Sequence, residues 1–159
     1  KPVSKPLALL AAFFNLVAIA VQTAYALQLI EVVLPLENSG YLKALSSEQL
    51  AAITGLLLKT HANGFGIALI FFGCFFPITG YLIYKSGYLP KTIGVLYFIP
   101  GVCYMVSSFA LILAPAFAEK YYFIMAGPAL IGELSLCLWL LFKGVNTEKW
   151  KSYGSLTTI

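Results

Sequence analysis

The stretch that decides the fold is HANGFGIALIFFGCFFPITGYLIY, residues 61–84. It contains no Asp, Glu, Lys or Arg and exceeds the ~20 apolar residues that an α-helix needs to cross a bilayer. Its apolar residues do not alternate with polar ones, as they would in a strand of a membrane barrel. The stretch therefore predicts a transmembrane helix.

Three more apolar stretches have a similar length, at about residues 7–34, 92–113 and 121–142. The 159-residue chain is 60% hydrophobic and 10% charged, with a mean hydropathy of +0.89, whereas soluble domains carry about 25% charged residues. In lipid every backbone polar group needs a partner within the protein, which favours helices. We predict an all-α fold, an integral membrane helical bundle of about four transmembrane helices over residues 1–145, followed by a polar tail at 146–159.

A fifth helical segment is predicted at about residues 47–60. Ser46 is a candidate N-cap and Gln49 follows three residues later, which forms a capping box, while Leu45 and Leu50 match the hydrophobic staple. The segment is amphipathic and lies either on the membrane surface or at the outer end of the next span.

Two spans carry helix-breaking signals, and one connection reads as a turn. Pro77 predicts a kink in the second span, and Pro100-Gly101 predicts an interruption of the third. Residues 114–120, which include Pro115, are predicted to form the turn before the last span.

The distribution of lysines between the two sides of the predicted bundle indicates its orientation in the membrane. All ten basic residues are Lys, and seven of them lie in the first loop, the 85–91 turn and the tail, against three on the other side. The positive-inside rule then places both ends of the chain in the cytoplasm. The net charge of +4 is the usual excess of Lys at helix ends, so no nucleic-acid partner is expected.

No motif for catalysis or for a cofactor is visible. The three cysteines, Cys74, Cys103 and Cys137, lie in apolar runs without a CxxC pair, which is typical of buried free thiols. No Asp is present, so a Ser/His/Asp triad cannot be built, and no metal site or bound cofactor is expected. We predict that the chain is not an enzyme.

Glu133 is the main candidate for a site within the membrane. It lies ten residues before Lys143, about 15 Å along a helix, and is therefore near the middle of the bilayer. Asn15 and Tyr104 have a similar predicted depth and could hydrogen-bond a neutral Glu133. The carboxyl group could tie helices together, bind a proton, an ion or a ligand, or pair with another helix or subunit.

A second polar group is predicted near the outer face, at His61, Glu31 and Asn63, with Gln28 as a further candidate. Glu31 and His61 have similar depth, so an ion pair or hydrogen bond between them is plausible. His61, the only histidine, is either structural or a ligand-binding or proton-relay residue.

Three parts of the sequence resemble one family of bacterial multi-pass membrane proteins. They are His61 to Gly66, the stretch FPITGYLIYKSGYLP at 76–90, and the stretch GELSLCLWLLFKGV at 132–145. The family is domain of unknown function number forty-three eighty-six. The resemblance implies about six helices, two of them before Lys1, and a bacterial inner membrane, but it implies no activity.

Two functions are compatible with these features of the sequence. The first is a structural or accessory subunit of a larger respiratory or photosynthetic membrane complex, with lipid and other membrane subunits as partners. The second is a small proton-coupled carrier or lipid-binding protein that uses Glu133.

Overall fold

The structure, a computed structural model, describes residues 3–33 and 44–149. Within these residues it contains four α-helices and no strand: α1 (Lys5–Val33), α2 (Ser47–Ser86), α3 (Lys91–Leu113) and α4 (Pro115–Phe142). All four are long and apolar enough to cross a membrane. The all-α helical bundle predicted from the sequence is confirmed.

Helix α2 is one continuous helix that contains both the predicted amphipathic segment at 47–60 and the predicted span at 61–84. It begins at the capping box, in which the Gln49 amide donates to the Ser46 hydroxyl oxygen over 3.2 Å and the Ser46 amide donates to the Gln49 side-chain oxygen over 2.8 Å. Its 40 residues extend about 60 Å, twice the ~30 Å of a bilayer core. Residues 47–60 are therefore an N-terminal extension of this helix rather than a separate segment, and we call the corresponding side of the bundle the Ser47 end.

The predicted interruption at Pro100-Gly101 is wrong, because Pro100 lies within continuous α3. Pro77 also lies within continuous α2, and the kink predicted there stays a prediction. Each proline ring lies against a glycine of the next helix, Pro77 against Gly101 and Pro100 against Gly132. The absence of a side chain at each glycine leaves room for the ring. Transmembrane helices tolerate proline where neighbouring helices accommodate the altered backbone.

The predicted turn at residues 114–120 is also wrong, since α4 already begins at Pro115. Only Ala114 separates α3 from α4, and its amide bonds to the Ala110 carbonyl over 2.8 Å. Proline suits the first position of a helix because its fixed φ is helical and the missing amide has no partner there. As a result, Glu119 lies on α4 rather than in a loop.

Each helix packs mainly against the helix next to it in sequence: α1 on α2, α2 on α3, and α3 on α4. Since α2 and α3 lie in the middle, α2 contains the largest set of buried residues. The set is rich in small side chains: Gly64, Gly66, Ala68, Leu69, Gly73, Phe76 and Gly80.

Glycines at intervals of seven residues line the contact between α2 and α3. Gly66, Gly73 and Gly80 of α2 face α3, which contributes Gly94 and Gly101. A Cβ added at Gly80 would lie 2.7 Å from the Gly94 carbonyl oxygen, and one at Gly94 would lie 2.8 Å from the Gly80 carbonyl oxygen. In lipid, where hydrophobic burial does not drive helices together, such small residues permit the close packing that does.

The cysteines are free, but their burial differs from the prediction. Cys74 and Cys103 are partly buried, whereas Cys137 is exposed on α4. Its side chain therefore lies on the outer surface of the bundle rather than in its core. The part of the predicted polar tail from residue 150 onward lies outside the described residues.

Candidate functional site: a groove between α2 and α4

A groove runs along the bundle between α2 and α4, with α3 as its floor. It forms because both helices pack on α3 but do not pack extensively on each other. It consists of an upper cavity of about 680 Å³ at the Ser47 end and a lower cavity of about 410 Å³. The two are continuous, because they share six lining residues: Phe65, Leu69, Ser107, Tyr122, Phe123 and Met125.

The lower end of the groove contains Glu133 and Tyr104. The Tyr104 hydroxyl donates a hydrogen bond to the Glu133 carboxyl oxygen Oε1. The Tyr104 ring is held by Phe76 and Phe72, with ring centroids 5.5 Å and 6.5 Å away. Tyr104 is thus fixed by packing on α2 while its hydroxyl reaches α4.

The Glu133 carboxyl group is at a depth where charge is costly. A charged side chain at the centre of a bilayer costs on the order of 2.5–3.5 kcal/mol on insertion scales. Glu133 is half-buried and lines the groove rather than the outer surface of α4. The phenol supplies one hydrogen bond, which reduces the cost of keeping the carboxyl group there.

The upper end of the groove contains the polar residues Lys59, His61, Asn63 and Glu119. Nδ1 of His61 lies 2.9 Å from the Tyr25 carbonyl oxygen of α1. A carbonyl oxygen only accepts hydrogen bonds, so Nδ1 carries the proton and donates. In the neutral ring, Nε2 is therefore an acceptor, and His61 is one of the residues that line the upper cavity.

Two of the predicted pairings do not form. Asn15 makes no hydrogen bond to Glu133 among the described residues, because α1 packs on α2 while Glu133 lies on α4. His61 bonds to a backbone carbonyl rather than to Glu31, whose side chain is exposed. Tyr25 lies six residues before Glu31 on α1, about 9 Å along the helix, so Glu31 and His61 are not at the same level.

The remaining predicted residues fall in two places. Asn63 is exposed and lines the upper groove. Gln28 lies on α1, and its side-chain oxygen is buried without a hydrogen-bond partner among the described residues.

Four further residues line the upper groove although no motif in the sequence marks them: Lys59, Ser107, Glu119 and Tyr122. Their common position depends on α4 beginning at Pro115, which brings Glu119 opposite Lys59 and His61. The proline at the start of an apolar stretch is the signal that could have indicated this helix start.

The described residues do not group three or more His, Cys, Asp or Glu side chains that could hold a metal ion. The groove instead combines apolar walls with one deep carboxyl group and a charged mouth. This arrangement can bind an amphipathic molecule by burying its apolar part and hydrogen-bonding its polar part.

The four apolar helices define a multi-pass, all-α membrane protein. Residues 1–144 match the family described as "Domain of unknown function (DUF4386)", and the chain belongs to this family.

Among curated proteins, the chain is similar to an uncharacterized protein of Archaeoglobus fulgidus. The two are 36% identical over 76 residues, which cover 47% of this chain and 43% of that protein. The matched region thus spans less than half of the relative's length. No solved structure matches the chain. Because the relative is archaeal, the bacterial origin expected from the resemblance stays a prediction.

Proposed function

We propose that this protein binds a membrane lipid in the groove between α2 and α4. The observation that carries the proposal is the groove itself, an apolar cleft with Lys59 and Glu119 at its mouth and the hydrogen-bonded Glu133 carboxyl group at its lower end. Its upper cavity of about 680 Å³ falls within the range of ~300–1,000 Å³ for small-molecule sites. The Tyr104 hydroxyl donates a hydrogen bond to the Glu133 carboxyl group. This bond lowers the cost of placing an apolar chain beside the carboxyl group at the lower end of the groove.

The length of the groove agrees with a lipid in one leaflet. Glu119 at the mouth and Glu133 at the lower end are fourteen residues apart on α4, which is about 21 Å of helix. Half of a bilayer core is about 15 Å thick, so the remaining ~6 Å extend the mouth of the groove towards the headgroup region. A lipid whose head stays at the interface would thus extend its acyl chain along the groove.

Photo-crosslinking tests the proposal. A phospholipid with a photoreactive group in its acyl chain, added to membranes that contain the full-length protein, should label the groove walls near Leu69, Met125 and Leu130. The exposed face of α1 around Leu16 and Ile19 is the internal control, because bulk lipid contacts it as well. Equal labelling of both regions would contradict a specific lipid site.

Two other functions stay predictions. An accessory subunit would remain bound to other proteins after gentle extraction and native-gel separation, and the extensive exposed apolar surface of α1 and α4 is compatible with this. A proton-coupled carrier would depend on Glu133, and Glu133→Gln should then abolish uptake while preserving the fold. We propose no catalytic role, cofactor or nucleic-acid partner.

We also propose that both ends of the chain face the cytoplasm, on the basis of the lysine distribution. Lys85 and Lys91 should then be protected from an impermeant amine reagent in intact cells, whereas Lys59 and Lys120 should react. Their exposed side chains make all four suitable reporters. The reverse pattern would invert the orientation.

A further inference from the structure

The mouth of the groove has two walls of opposite charge. Lys59 lies on the α2 wall and Glu119 on the α4 wall, and both side chains are exposed. They line the same cavity without forming an ion pair with each other among the described residues. A ligand head placed between them would thus meet a cation on one side and an anion on the other.

His61 adds a hydrogen-bond acceptor to this mouth. Its Nδ1–H is used by the Tyr25 carbonyl, at 2.9 Å, which fixes the neutral ring with its lone pair on Nε2. Glu119 also accepts hydrogen bonds, whereas Lys59 only donates them. The mouth therefore offers two acceptors and one cationic donor.

We propose that the upper groove is a headgroup site for a zwitterionic phospholipid with a primary ammonium group, of the phosphatidylethanolamine type. Lys59 binds the phosphate, while Glu119 and Nε2 of His61 accept hydrogen bonds from the ammonium. The inference rests on the proposed function, since the acyl chain occupies the apolar part of the groove.

Related headgroups form fewer favourable interactions with Lys59, His61 and Glu119. A phosphatidylcholine head has the same charges but no N–H to donate to His61 or Glu119. A phosphatidylglycerol head has a phosphate for Lys59 but no cation for Glu119, whose carboxylate would repel it. Selectivity for the primary ammonium is therefore the property that distinguishes this site from general lipid contact.

Native mass spectrometry of the full-length protein, titrated with the three lipids carrying identical acyl chains, measures this selectivity. We expect phosphatidylethanolamine to bind about tenfold more tightly than the other two, the factor that corresponds to about one hydrogen bond to a charged group. Glu119→Gln should remove most of this preference, whereas Lys59→Gln should weaken the binding of all three lipids, because each of them carries the phosphate. Glu148→Gln and Lys85→Gln are matched controls, because both residues are exposed and do not line the groove.

The outcomes separate the two proposals. Equal binding of the three lipids, a preference unchanged in Glu119→Gln, or lipid binding unchanged in Lys59→Gln overturns the headgroup site but leaves the lipid groove in place. If no lipid is retained, or if a second copy or another protein helix occupies the groove, both proposals are wrong. The relative affinities of the three lipids for the unaltered protein test the headgroup site even if one variant fails to fold.

Discussion

Gly94→Ala should destabilise the protein by about 2 kcal/mol, although the new residue is the better helix former. Alanine gains up to about 1 kcal/mol of helix propensity over glycine. At Gly94, however, the added Cβ would lie 2.7 Å from the Tyr84 amide nitrogen and 2.8 Å from the Gly80 carbonyl oxygen. Both atoms belong to the backbone of α2, so the helices must separate, and overpacking of this kind costs about 1–3 kcal/mol or more.

Gly127→Ala is the matched control, because a Cβ at Gly127 would have no atom within 4 Å. There the same substitution should change stability by less than about 1 kcal/mol, in the stabilising direction. Unfolding of the reconstituted protein in a graded series of denaturing detergent measures both values. Equal effects at the two positions would show that the close contact between α2 and α3 does not hold the bundle together.

Gly127→Phe should abolish lipid binding while the protein remains folded. Gly127 lines the lower cavity of about 410 Å³, and the space around it admits a larger side chain. A phenylalanine ring there would occupy the volume that we assign to the acyl chain. We expect lipid retention to fall by more than about tenfold, because the chain could no longer be buried in the groove.

Gly55→Phe provides the comparison for this second variant. Gly55 also has open space at its Cβ, but it lies in the extension of α2 and does not line the groove. The measurement is the amount of phospholipid that remains bound to each purified variant in native mass spectrometry. A folded Gly127→Phe protein that retains as much lipid as Gly55→Phe would place the lipid elsewhere.

The sequence predicted the common depth of Glu133 and Tyr104, but not which way the other candidate residues face. Glu133 and Tyr104 were placed at the same level by counting residues along each helix, and the structure brings them together. The same counting placed Asn15 at this level, but α1 is separated from α4 by the order of the helices. Depth follows from the constant rise of 1.5 Å per residue, whereas direction depends on which helices are neighbours.

Periodicity could not supply the missing direction. In a soluble helix the apolar stripe faces the core. In a transmembrane helix the lipid-facing side is apolar too, so the pattern of apolar residues does not distinguish it from the buried side. The spacing of the glycines is a better signal of direction. Gly66, Gly73 and Gly80, with Gly94 and Gly101, recur every seven residues and mark the faces that meet between α2 and α3.

The sequence by itself determined the number of apolar helices, the all-α class and the capping box at Ser46, because these depend on local composition and on the length of a bilayer. It did not determine that the helices continue through Pro77 and Pro100, since a glycine on the next helix accommodates each ring. Only the tertiary structure decided that His61 bonds to the Tyr25 carbonyl and that α2 and α4 diverge around a groove. These features arise from contacts between helices, which a single apolar sequence leaves open.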